Sequence, residues 1–453
     1  MGRLFGTDGV RGIANGDLDC NLTFSIGQCG AKVLTSEVHR PRIVIGRDTR
    51  NSGKMLMCAL AAGICSVGGE AIDCGVVPTP GVAYLTRAYE ADAGVVISAS
   101  HNSYEYNGIK WFDASGFKLP DAVEDEIEAL VRSENGAGIL PTGKDVGTLV
   151  YASGPDEEYI EFLTDACDVS LEGLNIVVDC ANGAASGFAE KVFTRLGAKV
   201  APYYNMPDGM NINAQCGSTH PEKLQRRVVE LGADAGFAFD GDADRLIACD
   251  EHGVLVDGDK IMAICALDMK ERGTLVKNTL VTTVMSNLGM KTTLRENGVD
   301  IIETAVGDRY VLECMQRDGY IIGGEQSGHV IFLDSNTTGD GMLTAIKLLS
   351  VMVRKKQRLS QMSRKIQIYP QVLVNVEVPN EMKQRYAEFD EIMARISEAE
   401  QKFSGKGRVL VRTSGTEPLV RVMIEGENDK LIDSEAIAIS KLVAQKLGGR
   451  IRD

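Results

Sequence analysis

One arrangement recurs three times along the 453-residue chain, and it limits the fold more than any other feature: an apolar run, a polar loop, a segment of helical period ending near Gly, and a second apolar run. "RIVIGRDTR" leads into "KMLMCALAAGICSVGG" and "EAIDCGVV"; "NIVVDCANGAASG" into "FAEKVFTRLG" and "AKVAPYY"; "TLVTTVMSN" into "GMKTTLRENG" and "VDIIETAVG". Two short apolar runs joined through a helix are the signature of parallel strands, which a two-residue hairpin cannot connect. Three α/β domains with mixed sheets are expected.

The rest of the chain reads differently. "QVLVNVEV" alternates with period two, residues 384–403 form a charged amphipathic segment, and "RVLVRTSG", "LVRVMIEG" and "SEAIAISKLVAQKL" complete a small α+β domain. The polar stretch "SENGAGILPTGKDVG" marks one boundary and "RKKQRLSQMSRK" another. The expected domains are residues 1–152, 153–255, 256–368 and 369–453. So long a chain exceeds what a single core supports.

The formal net charge of -15 argues against nucleic acid or an anionic membrane as partner, since both select clustered Lys and Arg. A small anionic substrate remains compatible if local cations offset the field. Eleven cysteines without a C-x-x-C pair fit reduced thiols in the cytoplasm better than a zinc knuckle or a disulfide framework. Neither a signal-peptide core, nor a run of 18 apolar residues, nor a myristoylation pattern is present.

Three stretches carry chemistry. "AGFAFDGDADRLIACD" sets Asp240, Asp242 and Asp244 directly after an apolar strand. Carboxylates at such spacing repel unless a hard cation neutralises them, and oxygen donors suit Mg²⁺ or Ca²⁺. A solvated acidic turn is the plainer alternative, but its flanks are buried strands. An EF-hand fails, because Arg245 stands where that loop needs Gly. A dehalogenase-type phosphatase with Asp240 as nucleophile is the rival, although Asp244 takes the place where Thr or Val is usual. "GAGILPTGKD" is an accidental match to a P-loop, with Asp145 in place of the hydroxyl.

"VRTSGTEPLVRVMIEG" gathers Arg412, Ser414, Gly415, Thr416 and Arg421 about a turn, where amides, hydroxyls and guanidinium groups could cradle a phosphate. A plain hairpin is the alternative. In "GGEQSGH", Glu325 and Ser327 could hydrogen-bond sugar hydroxyls. In "GVVISASHNSYEYNGIKWF", Ser100 and His101 follow a strand end and Lys110 lies on the next run; a lone histidine is more often structural than catalytic, and it is the neighbours of His101 that favour a role in chemistry.

Taken together, "SASHN", "DGDADR", "GEQSGH" and "RTSGTEP", in that order and with "FGTDGVRG" and "VGDRY", resemble the α-D-phosphohexomutase superfamily over residues 5 to about 426. The resemblance implies three α/β domains and a C-terminal domain around a central cleft. It implies that Ser100 carries a phosphoryl group, that Ser100, Asp240, Asp242 and Asp244 hold one Mg²⁺, and that Arg245, Glu325, Ser327 and the "RTSGTEP" residues bind substrate. His101, Lys110 and Arg11 would stabilise charge or shuttle the hydroxyl proton. "GEQSGH" and "FGTDGVRG" resemble the glucosamine branch more than the glucose or mannose branches. That implies interconversion of glucosamine 6-phosphate and glucosamine 1-phosphate, primed by glucosamine 1,6-bisphosphate or glucose 1,6-bisphosphate, toward UDP-N-acetylglucosamine. A hexosamine phosphate is then the partner, with a homodimer an admissible assembly. Two departures stand out: Ser103 replaces the usual proline after "SHN", and Ala243 the usual glycine of "DGDGDR".

Overall fold

A computed structural model describes residues 3–6, 8–34, 40–133, 138–403, 406–414 and 417–452. The chain forms two compact units, Met1–Met285 with Asn297–Lys365, and Ser286–Glu296 with Ile366–Asp453.

The first unit carries three sheets. The first contains β1 (Val10–Ile13), β2 (Arg42–Arg47), β3 (Glu70–Val76), β4 (Ala93–Ile97), β5 (Tyr106–Asp113) and β6 (Thr148–Tyr151), in the order β1-β5-β4-β2-β3-β6. The second contains β7 (Asn175–Asp179), β8 (Lys199–Tyr203), β9 (Ala235–Phe239), β10 (Leu246–Asp250) and β11 (Leu255–Val256), in the order β11-β10-β9-β7-β8. The third contains β12 (Thr279–Thr283), β13 (Asp300–Thr304), β14 (Ile322–Gly324) and β15 (Val330–Phe332), in the order β13-β12-β14-β15.

All three share one four-strand unit. Numbered along the chain, its strands lie in the order 4-3-1-2: the first two are parallel, the third is parallel to the first, and the fourth turns back antiparallel on the third. The three sequence repeats are the first two strands of each unit and the crossover between them. The sheets are therefore mixed, as the sequence implies.

The strands that lead to the functional loops are buried on both faces, which is why β4 (AGVVI) and β9 (AGFAF) read as unbroken apolar runs. In the first sheet, Ile43, Ile45, Val95, Ile97 and Trp111 pack with Leu56, Leu60 and Ile64 of helix Asn51–Ser66. Each such aliphatic side chain contributes about 1.5–3 kcal/mol. That helix also crosses helix Cys20–Val33 closely enough that a Cβ on Gly27 would lie 2.4 Å from the Leu60 carbonyl oxygen, so only glycine fits the crossing. No helix among the described residues is long and apolar enough to cross a membrane. All eleven cysteines are free.

In the second unit, β16 (Gln371–Glu377), β17 (Gly407–Thr413), β18 (Leu419–Gly426) and β19 (Arg450–Arg452) form an antiparallel sheet in the order β17-β18-β16-β19. Its apolar residues pack with Ile392 and Phe403 of helix Asp390–Phe403 and with Ile439 and Val443 of helix Asp429–Leu447. The amphipathic segment expected over 384–403 is split. Lys383–Glu388 is a 3₁₀ turn and Phe389 is extended, because Phe389 packs into the core while the Tyr386 hydroxyl donates to the Val411 carbonyl at 3.0 Å. Helix Leu288–Glu296 belongs to this unit although it joins two strands of the third sheet. The Asn287 amide exchanges two 2.9 Å hydrogen bonds with the Tyr369 backbone, and the Leu288 amide donates to Glu425 at 3.2 Å.

Candidate active site

Each repeat of the first unit contributes the same loop, the one that links its third strand to its fourth. In the first sheet this loop holds Ser100 and His101; in the second it holds Asp240, Asp242, Asp244 and Arg245; in the third it holds Glu325, Ser327 and His329. Loops beyond the carboxyl ends of parallel strands are where open α/β sheets commonly bind ligands.

Ser100 is buried and has a left-handed backbone, φ 50°. That conformation costs a non-glycine residue roughly 1–2 kcal/mol, so the surroundings must hold it. They do so from both domains. Arg50 donates to the carbonyls of Ser100 (3.2 Å) and Asn102 (2.5 Å), and Asn213 donates to the same two carbonyls at 2.8 and 2.9 Å. Arg50 is itself fixed by a buried ion pair with Asp48 at 2.7 Å. Asp48 also accepts from the Ser98 hydroxyl, and the Ser98 oxygen receives the Ser100 amide at 3.0 Å. A Cβ on Gly241 would lie 2.6 Å from the Ser100 carbonyl oxygen, so the two loops meet only because glycine stands there.

The Ser100 hydroxyl donates to Asp240 Oδ2 at 2.6 Å and lies 3.3 Å from His101 Nδ1. Arg245 Nη1 lies 3.2 Å from the same imidazole nitrogen. A guanidinium has no lone pair to offer, so Nδ1 is the acceptor and the ring proton sits on Nε2. Burial, then Arg245 and Arg11, lowers the His101 pKa to about 4 and keeps the ring neutral near pH 7.

Asp240, Asp242 and Asp244 are buried, and each turns one oxygen to within 4.8 Å of the others. Burial, then Asp244 and Asp242, pushes the Asp240 carboxyl well above its ordinary range. For Asp244 burial works the same way, but His329, Lys110 and Arg245 outweigh it and hold the group below the carboxylate range. Asp242 Oδ1 and Asp244 Oδ1 are buried without a hydrogen-bond partner among the described residues. Orphaned carboxylate oxygens at this spacing fit a hard divalent cation. Asp240 accepts from Ser100 on Oδ2 and from the Arg245 amide on Oδ1 at 3.2 Å, so its carboxylate is oriented by both loops. Ala243 takes φ 57°, so the alanine tolerates a backbone that favours glycine.

Lys110, on β5, is nearly buried, with Nζ 3.8 Å from Asp242 and from Asp244 and 3.4 Å from Asp8. Asp8 also takes Arg11 at 2.5 Å and Lys118 at 2.9 Å. Lys118 continues to Asp308, and Asp308 to His329 Nε2 at 3.4 Å. His329 Nδ1 closes the chain on Asp244 at 3.5 Å. Burial opposes charge on His329, but these two carboxylates raise its pKa. Glu325 is held by the Gly307 amide at 3.1 Å, and burial and Asp308 raise its pKa. Ser327 is exposed.

The structure thus brings together Arg11, Ser100, His101, Lys110, the three aspartates, Arg245 and the Glu325 loop. Arg412, Ser414 and Arg421 lie in the second unit. Arg412 and Arg421 are directly paired across β17 and β18, and burial and Arg421 lower the Arg412 pKa. Both Nε atoms are buried without a partner among the described residues. Glu417 bridges Arg421 and Arg452 at 3.0 Å each, and Lys383 donates to the Ser414 carbonyl at 3.0 Å. Gly415 and Thr416 lie outside the described residues. Two opposed arginines repel without an anion, so this end of the sheet is suited to hold one.

Sequence reasoning missed Asp48, Arg50, Asn213 and Thr79 around the Ser100 and aspartate loops, Asp8, Lys118, Asp308 and His329 in the ion chain, and Lys383 and Arg452 beside the arginines. "GRDTR" offered a signal, opposite charges just past a buried strand. Tertiary structure alone brings Asn213 to the Ser100 loop and, within the second unit, Lys383 and Arg452 to the arginine turn.

Four family descriptions match the chain in order. "Phosphoglucomutase/phosphomannomutase, alpha/beta/alpha domain I" covers residues 2–137, domain II 157–253, domain III 257–369, and the C-terminal domain 373–442. The chain is 56% identical over 447 residues to a phosphoglucosamine mutase of Thermoanaerobacter sp. (strain X514), covering 99% of this chain and 100% of that one. Among solved structures, it resembles a phosphoglucomutase/phosphomannomutase family protein from Burkholderia thailandensis with a TM-score of 0.80 at 23% identity, covering 98% of each chain. It also resembles the Aspergillus fumigatus N-acetylphosphoglucosamine mutase in complex with GlcNAc-6P and magnesium, with a TM-score of 0.70 at 18% identity over 98% of this chain and 96% of that one.

Proposed function

The chain belongs to the phosphoglucomutase/phosphomannomutase family, and from that premise we propose that it interconverts glucosamine 6-phosphate and glucosamine 1-phosphate by way of phosphoserine 100. It is an isomerase. Phosphoserine 100 gives its phosphoryl group to the free hydroxyl of the hexosamine phosphate, which yields the 1,6-bisphosphate and leaves the serine hydroxyl. The bisphosphate turns around in the site, and its other phosphoryl group returns to Ser100. Glucosamine 1,6-bisphosphate or glucose 1,6-bisphosphate would prime an enzyme that has lost its phosphate.

Asp240, Asp242, Asp244 and the Ser100 oxygen would hold one Mg²⁺, and the orphaned oxygens of Asp242 and Asp244 support that set. When bound, the ion supplies charge neutralisation for a phosphoryl group in transfer. The residues of this chain supply positioning. Arg50 and Asn213 fix the serine backbone, and Arg245, donating to Nδ1, fixes neutral His101 beside the Ser100 oxygen, where the imidazole would stabilise charge. Lys110 and Arg11 bring positive charge to the transferring group. Glu325 and Ser327 would meet the sugar hydroxyls, and the Arg412, Ser414, Gly415, Thr416 and Arg421 turn the distal phosphate. The setting would be the cytoplasm, where free thiols stay reduced.

The observation that carries the reading is the 2.6 Å contact of the Ser100 hydroxyl with Asp240, which sets the phosphoryl carrier against the cation site. Mass spectrometry of the purified protein tests it. About 80 Da on the Ser100 peptide is expected after incubation with the bisphosphate. A protein that isomerises substrate with Ser100 unmodified throughout would overturn it.

A further inference from the structure

Asp242 is held from outside its own loop. Thr79, fully buried, opens helix Thr79–Ala88 of the first domain, between Pro78 and Pro80. Its hydroxyl donates to Asp242 Oδ2 at 2.6 Å and its amide donates to the Asp242 carbonyl oxygen at 3.0 Å. Proline on either side limits the backbone here, so the hydroxyl is presented from a rigid mount.

The consequence is asymmetric for the two oxygens. Oδ2 is occupied by Thr79, with Lys110 farther off at 3.8 Å. Oδ1 is buried and without a partner among the described residues, and it belongs to the aspartate that joins the cluster within 4.8 Å. An aspartate fixed this way offers a cation one oxygen, not two. Mg²⁺ demands short, regular, single-oxygen contacts, whereas Ca²⁺ accepts carboxylates through both oxygens and in looser geometry. Groups that orient a ligand in this manner typically change metal affinity about 10–100-fold when removed.

We propose that Thr79 is a positioning residue for the cation site: it keeps Asp242 a single-oxygen ligand and so biases the three aspartates toward Mg²⁺ over Ca²⁺. The inference rests on the metal-dependent reading above. It also makes the affinity of a loop in the second domain depend on a helix in the first.

Calorimetric titration of the full chain with Mg²⁺ and with Ca²⁺, without sugar, tests it. Thr79→Val keeps the shape and removes the donor. The Mg²⁺ Kd should rise about tenfold, the Ca²⁺ Kd should change less, and the ratio of the two should shift at least about fivefold toward Ca²⁺. Thr79→Ser should restore the parent ratio. A purely structural role would weaken both cations alike. An unchanged ratio in Thr79→Val, or failure of Thr79→Ser to restore it, overturns the inference. Should Thr79→Val not fold, Thr79→Ala against Thr79→Ser makes the same comparison. A parent chain that binds neither cation overturns the metal reading and this inference with it.

Discussion

The Ser100 hydroxyl and Asp240 Oδ2 are 2.6 Å apart, joined by a hydrogen bond between loops of two different sheets. A phosphoryl group on that oxygen replaces the donor by a charge of about -2 beside three carboxylates. On the reading proposed above, phosphorylation and cation binding would therefore support each other. The same contact makes Ser100 and Asp240 separable by mutation, because each has other partners that hold its loop.

Ser100→Ala removes the carrier and leaves the Arg50 and Asn213 clamps, which act on the backbone. Isomerisation should fall by about 10³-fold or more, some 4 kcal/mol of transition-state stabilisation. Sugar-phosphate binding, read by calorimetry, should stay within a few fold of the parent. Turnover within tenfold of the parent would sink the assignment of Ser100.

Asp242→Asn keeps the acceptor for Thr79 and removes one charge from the triad. Mg²⁺ affinity should drop by about tenfold or more, by the same scale that governs groups orienting a metal. Excess chelator should stop turnover of the parent, and added Mg²⁺ should restore it. Full activity under chelation would contradict the metal assignment.

The repeated parallel strand pairs were legible in the sequence because buried parallel strands write themselves as apolar runs, and the placement of Ser100, the aspartates and Glu325 on loops was legible because polar residues interrupt those runs at strand ends; the 4-3-1-2 order was not. What holds them was less so. Thr79 sits in "VVPTPGV", which reads as an ordinary turn into a helix. Asn213 looks like any loop asparagine until the fold sets its amide on two carbonyls of another domain. Arg452 reaches Glu417 only because β19 pairs with β16. Contacts across domains leave no local period or composition to read. The break at Phe389 was hidden for the converse reason, since residues 384–403 keep helical polarity through a segment that core packing bends out of the helix.

Asp340 gives a pH test on a buried carboxylate outside the aspartate triad. It caps helix Gly341–Lys355 and accepts from Tyr159 (2.8 Å) and Asn336 (3.1 Å), with burial raising its pKa to about 6. An acid with a raised folded pKa binds more protons folded than unfolded between its two values. Its stability term therefore falls as pH rises from about 4 to about 6, by an amount on the order of 3 kcal/mol. Asp340→Asn cannot titrate. Thermal unfolding from pH 4 to 7 should show the parent losing Tm relative to this variant as pH rises, and parallel curves would refute the shift.

Arg421 faces Arg412 across the sheet and is tied to Glu417 at 3.0 Å. If this pair grips the distal phosphate in both poses of the bisphosphate, Arg421→Ala should raise KM and lower kcat together. A loss of at least about tenfold in kcat/KM is expected, on the scale of a charge-assisted hydrogen bond of roughly 1.5–3 kcal/mol. An unchanged kcat/KM would show that the turn does not touch the phosphate.

The last test concerns the sugar. Glu325, held by the Gly307 amide, can meet hydroxyls of glucosamine, glucose or mannose alike, so it cannot by itself choose among them. The difference lies at the 2-position, where glucosamine carries an ammonium and glucose a hydroxyl. Glu325, Asp308 and Asp8 belong to one charged network in which Arg11, Lys110, Lys118 and His329 supply the opposite charge, and a carboxylate of that network would be the group to meet the ammonium. A site built to pair an ammonium leaves an acceptor unmatched when a hydroxyl arrives, and such mismatches discriminate far better than an added methylene. The measurement is kcat/KM on glucosamine, glucose and mannose 1-phosphates, each with its own bisphosphate primer. Glucosamine should lead by at least about tenfold, which is about 1.4 kcal/mol of transition-state preference. The lead should shrink as pH rises through the range where the free amine forms, because the pairing is lost while the hydroxyl sugars are unaffected. Glucose or mannose equal to glucosamine would leave the phosphoserine mechanism standing and refute the substrate.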